Sequence, residues 1–122
     1  MSMQPLRVCG YRLGDPRIIA KRLGIVPKPT FPALNEAAER SYAAEAVKFE
    51  LQHQTRLHLA LHNCVRVYRG KPTSSFSLVV SVRTSHDGKD YKQPEDRVRL
   101  LAKLMGREGK QPAWWIDMSS IG

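Results

Sequence analysis

Between residues 76 and 83 apolar side chains fall on every second position. Phe76, Leu78, Val80 and Val82 lie on one side, and Ser77, Val79, Ser81 and Arg83 on the other. A period of two is that of a strand with one face in a core, so SFSLVVSVRTS is the best-defined strand of the chain. LRVCGYRL (6–13) and CVRVYRG (64–70) alternate more weakly and also read as strands, the second with Val65 and Val67 opposite Arg66 and Tyr68. KPTSS, between the two neighbouring strands, is expected to be a hairpin loop, and HDGKD (86–90) a turn. PAWWID closes the series as a short strand that would send Trp114 and Trp115 to opposite faces.

Helical spacing alternates with these runs. In GDPRIIAKRLG, Asp15 is placed to cap, Pro16 suits the first helical position and Gly24 can end a helix of about two turns. IVPKPTFP then imposes an extended connector through its prolines. From Ala33 to Asn63 the chain has neither proline nor glycine and is rich in Ala, Leu, Glu and Gln, which predicts one long helix, roughly 45 Å at 1.5 Å per residue. Pro94, Glu95 and Asp96 open a last helix that carries Val98, Leu101, Leu104 and Met105 at helical spacing and stops at Gly106.

The resulting order is strand, helix in two pieces, strand, strand, helix, strand. It predicts a single α+β domain over residues 1–122: a two-layer antiparallel sheet with helices on one face, on the ferredoxin-like βαββαβ plan with a long, broken first helical segment. The other sheet face would be open.

Length and composition agree with one folded domain, with 42% apolar and 25% charged residues in 122. No apolar run resembles a signal peptide or a membrane span, so the sequence reads as intracellular, cytoplasmic or nuclear, with no membrane partner. Cys9 and Cys64 form no CxxC pair and read as buried, reduced thiols.

Charge changes the picture more. The formal net charge is +9, and its distribution is uneven: residues 1–32 carry six basic side chains against Asp15, and residues 62–83 carry Arg66, Arg69, Lys71 and Arg83 with no acid. Such segments attract polyanions.

The stretch HQTRLHLALHNC (53–64) holds three of the four histidines and one cysteine. On the expected helix His58 and His62 would sit about 40° apart, one turn from each other, while His53 would face away. A metal site would need further ligands, for which His86 and Asp87 in the turn are the only candidates, and there is no HExxH, GxSxG or glycine-rich phosphate loop. No metal, cofactor or catalytic set is therefore predicted. An acid–base role for His58 or His62 remains the only enzymatic reading.

Two functional expectations follow. The first is nucleic-acid binding, chiefly through the phosphate backbone, by Arg12, Arg66, Tyr68, Arg69, Lys71 and Arg83 projecting from the open sheet face. The second is a non-catalytic protein-interaction module. Its sheet face or long helix would recognise the partner and its basic charge would serve solubility; the helix's stripe Tyr42, Ala46, Phe49, His53, Leu57, Ala60 and Cys64 would cover the sheet. The opposite stripe, Val47, Leu51, His58, His62 and Val65, would then be exposed and form a homodimer interface.

Overall fold

A computed structural model describes residues 5–25, 36–69 and 71–120. The elements run β1 (Arg7–Arg12), α1 (Pro16–Arg22), α2 (Glu36–Thr55), β2 (Ala60–Tyr68), β3 (Lys71–Thr84), α3 (Glu95–Leu104) and β4 (Ala113–Asp117), with a 3-10 turn at Met118–Ser120. Most of the proline connector and the expected first turn of the long helix lie outside the described residues.

The α+β class is as expected, but the sheet is not open. Its strands pair in the order β1-β3-β2-β4, each neighbour antiparallel, and β4 pairs with both β2 and β1, so the sheet closes into a small barrel. Among the described residues there is no ferredoxin-like layering, and the face expected to be open is the interior of the barrel. The inward side chains explain the closure: Val8, Cys64, Val79 and Trp115 form an apolar cluster inside the barrel, which an open sheet would expose to water. Val79 and Ser81, expected on an open face, are 0% and 3% exposed.

So narrow a barrel depends on Gly10. A Cβ at this position would run into the carbonyl oxygen of Val80 and lie 2.8 Å from Ser81 Cα. The register between β1 and β3 shifts beside it, between Cys9 and Gly10, and Trp115 Nε1 donates to the Gly10 carbonyl at 3.3 Å. A bulge and a glycine at one point let the sheet curve sharply.

A second core lies between the barrel's outer face and the helices. Leu78, Val80 and Val82 of β3 and Tyr11 and Leu13 at the end of β1 meet Ile19 of α1, Ala44, Val47 and Leu51 of α2, and Leu101 and Ala102 of α3. α1 begins as predicted, with Asp15 Oδ1 accepting from the Arg17 N–H at 3.0 Å and Pro16 in the first position. It closes with Gly24 at φ +73°, whose N–H reaches Lys21 O while that of Ile25 reaches Ala20 O, a Schellman motif. α3 ends in the same way, through Gly106 to Lys103 O and Arg107 to Ala102 O.

Three expectations about extents are corrected. α2 ends at Thr55, not at Asn63, because Arg56 takes a left-handed conformation (φ 61°) and Thr55 Oγ1 turns back to Leu51 O at 2.6 Å. β2 consequently starts at Ala60 and takes in His62, which stands on a strand, while His58 lies in the connection. There its N–H and carbonyl are both held by the Gln93 carboxamide, at 2.7 and 2.9 Å. KPTSS is not a loop either: β3 begins at Lys71, which pairs with Tyr68 across a tight connection at Arg69.

The expected helix stripes are exchanged. Val47 and Leu51 are wholly buried under α2, whereas Tyr42 and Phe49 on its far side are 50% and 63% exposed. Val65 is buried in β2 and His58 is exposed in the loop, so the five residues expected to form a dimer interface do not share a surface.

Candidate nucleic-acid interface

β1 and β2 are each antiparallel to β3, so they run parallel to one another, and their C-terminal ends reach the same end of the barrel. The starts of β3 and β4 arrive there too. Arg12 and Arg66 stand in the inward phase near the C-terminal ends of β1 and β2, paired with Val79 and Trp115. At the mouth of the barrel an inward position no longer has a core to fill, and a long cationic side chain can occupy it.

The α3–β4 connection supplies the opposite wall of this mouth. After Gly106 it carries Arg107 and Lys110, and it is tied to β1 twice: Tyr11 Oη donates to Lys110 O at 2.6 Å, and Arg107 Nη2 to Arg12 O at 3.5 Å. Together these segments bound a cleft of about 770 Å³ lined by Arg12, Arg66, Arg107, Lys110, Phe76 and Trp114 among others, with no acidic residue. None of the four cations is in an ion pair with a described residue; the acids on this chain that do pair take Arg17, Arg40, Lys48 and His62. Phe76 and Trp114 are 64% and 46% exposed, a large apolar area to leave in water beside a basic cleft.

The tryptophan pair divides as its strand alternation implies. Trp115 fills the barrel and Trp114 stands outside, with the Arg83 guanidinium 5.5 Å from its ring centre. Arg83, Cys9 and Trp114 are neighbours across β3, β1 and β4, so Arg83 spans the strand between them. Its Nε is buried with no hydrogen-bond partner among the described residues. Arg83 thus props Trp114 instead of projecting from an open face.

Of the other residues expected to contact nucleic acid, Tyr68, Arg69 and Lys71 sit at the β2–β3 connection, on the same end of the barrel. Tyr68 is 62% exposed, and the Arg69 guanidinium lies 5.4 Å from its ring. Arg12 and Arg66 therefore meet in the cleft, Tyr68, Arg69 and Lys71 extend one rim, and Arg83 acts from behind. Phe76, Arg107 and Lys110 were not anticipated. The available signal for the last two was the pair of glycines, Gly106 and Gly109, which mark a loop after α3 that carries both basic residues.

At the other end of the barrel His62 Nδ1 meets Asp117 Oδ2 at 2.7 Å. Asp117 Oδ1 also accepts from the Ser119 N–H and hydroxyl, at 2.8 and 2.7 Å. Burial alone would raise this carboxyl, but the hydrogen bonds from Ser119 and His62 outweigh it and hold the pKa below the usual carboxylate value. His62 Nε2 is buried and has no partner among the described residues, so this pair offers no reactive atom to a substrate.

The Cys64 thiol is pushed up to about 12 by burial and by the nearby Asp117 charge, which keeps it protonated and inert. Cys9 is buried and unbridged as well, its pKa raised by burial against the opposing Arg83 charge. Among the described residues no three His, Cys, Asp or Glu side chains converge as for a metal ion, and no helix is long and apolar enough to cross a membrane.

No protein-family model matches the chain, and no curated protein or solved structure shows significant similarity to it.

Proposed function

We propose that this protein binds single-stranded nucleic acid across the basic mouth of the barrel. One observation carries the reading: four cations without acidic partners share a cleft with two exposed aromatic rings. Arg12, Arg66, Arg107 and Lys110 would neutralise phosphates, and Phe76 and Trp114 offer faces on which unpaired bases stack. A duplex keeps its bases stacked on one another, so the rings favour single strands. Tyr68 and Arg69 at the rim lengthen the track.

Fluorescence anisotropy with single- and double-stranded oligonucleotides at about 50 and 200 mM salt tests the proposal. Micromolar binding of single strands at the lower salt is expected, weaker at the higher, and lost in Arg66→Glu/Arg107→Glu. Absence of micromolar binding by every oligonucleotide at the lower salt, or equal binding by the double variant, would refute it.

The solvent face of α2 favours a second reading, self-association. Tyr42 and Phe49 are seven residues apart, hence on one line along the helix, and both are exposed. A homodimer through this face predicts a light-scattering mass of two chains that falls to one in Phe49→Glu. A single-chain mass for the wild type excludes it.

A further inference from the structure

A second cleft, of about 640 Å³, adjoins the basic one and shares Arg12, Phe76 and Ser77 with it. It lies between the N-terminal half of α2 and the outer face of the β2–β3 ribbon. Its character differs sharply. Besides Arg12 it contains Arg40, Asp15 and Glu45, so its formal charges balance. Three of these are already engaged: Asp15 with Arg17 at 2.9 Å, Arg40 with Glu36 at 3.2 Å and Glu45 with Lys48 at 3.1 Å.

The rest of the lining mixes apolar side chains, Ala44, Leu61 and Leu78, with the polar Ser41, Ser77 and Asn63, of which Asn63 alone offers a carboxamide. Asn63 pairs with Leu78 across the ribbon, is exposed, and its carboxamide makes no hydrogen bond to another described residue. A cation-rich, acid-free cleft and a charge-balanced, partly apolar one thus meet along a wall made by an arginine and a phenylalanine. A nucleotide is divided in the same way, into an anionic phosphate and a neutral, flat base.

We infer that the second cleft receives one base of a bound single strand, stacked against Phe76, and that Asn63 reads its edge. The inference rests on the nucleic-acid reading above and adds selectivity to it. A carboxamide places one donor and one acceptor side by side, which pairs with the complementary edge of a base and discriminates against bases that present a different edge. Arg12 on the shared wall would hold the phosphate of the same nucleotide.

The test uses four homo-oligonucleotides of equal length and the full chain, with anisotropy as readout. The wild type is expected to prefer one of the four by about fivefold or more. Asn63→Leu and Asn63→Asp are expected to flatten this preference while still binding every oligomer, and far-UV circular dichroism to show both folded. Equal affinity of the wild type for all four, or an unchanged preference in both variants, would overturn the base-reading role and leave backbone binding intact. If no homo-oligonucleotide binds, the underlying nucleic-acid reading falls first, and the inference with it.

Discussion

Gly10 and Asp117 carry loads that their residue types alone do not reveal. Gly10 lies where β3 crosses too close for any side chain, and the obstruction is backbone, which no rotamer change relieves. Gly10→Ala should therefore cost about 3 kcal/mol or more, read as a lower midpoint in a urea melt. A melt equal to that of the wild type would mean the barrel is wider than described. Asp117 makes a pH prediction. Its folded-state pKa is depressed, so its stabilising contribution is complete above the unfolded value, near 3.8, and disappears as pH falls through the folded value. Asp15 behaves likewise, held at about 2 by hydrogen bonds from the Arg17 guanidinium and N–H. Stability should thus be flat in this respect above about pH 5 and fall between pH 4 and 2, and Asp117→Asn should flatten the fall.

At the scale of elements, what the sequence disclosed and what it concealed have separate physical causes. α1, α3 and the body of β3 are legible because each carries its own signals: Asp15 and Pro16 at one start, Gly24 and Gly106 at two ends, and the alternation of Phe76, Leu78, Val80 and Val82. The end of α2 was not. Helices usually stop at a glycine in the left-handed region, but here Arg56 adopts that conformation, helped by Gln52, whose carbonyl accepts from the Arg56 N–H and whose side chain accepts from the Leu59 N–H at 3.1 Å. With the stop hidden, the sequence extends the helix over the first four residues of β2 (60–63), pairs His58 and His62 on a helix face they do not share, and assigns the buried stripe to solvent. The same observation yields a prediction. Glycine at position 56 would remove the strain of a side chain at positive φ, so Arg56→Gly should raise stability by about 0.5–1 kcal/mol despite the general cost of adding a glycine. A destabilised Arg56→Gly would show that the Arg56 side chain contributes more than its backbone costs.

For the whole molecule, closure of the sheet is the fact from which the candidate site follows. Because β4 seals the sheet to β2, the flat basic face expected from sequence cannot exist, and the charged inward positions are displaced to the barrel's mouth. Arg12 and Arg66 were recognisable as basic residues on strands, but their meeting with Arg107 and Lys110 depends on a loop returning from the far side of α3. Four of the chain's basic side chains thereby line a cleft that no acid lines, and this fixes a measurable consequence. For single strands the logarithm of affinity falls with the logarithm of salt concentration by about 0.7 for each phosphate neutralised. Four cations in the cleft predict a slope near −3, so raising salt from about 50 to 200 mM should weaken binding about fifty-fold. Removing one cation as Arg66→Gln should lower the slope to about −2, whereas removing an exposed one in the turn that follows β3, at the opposite end of the barrel, Lys89→Gln, should leave it unchanged. Equal slopes in the wild type and Arg66→Gln would mean that the polyanion is held elsewhere on this basic surface, and that the mouth of the barrel is not its track.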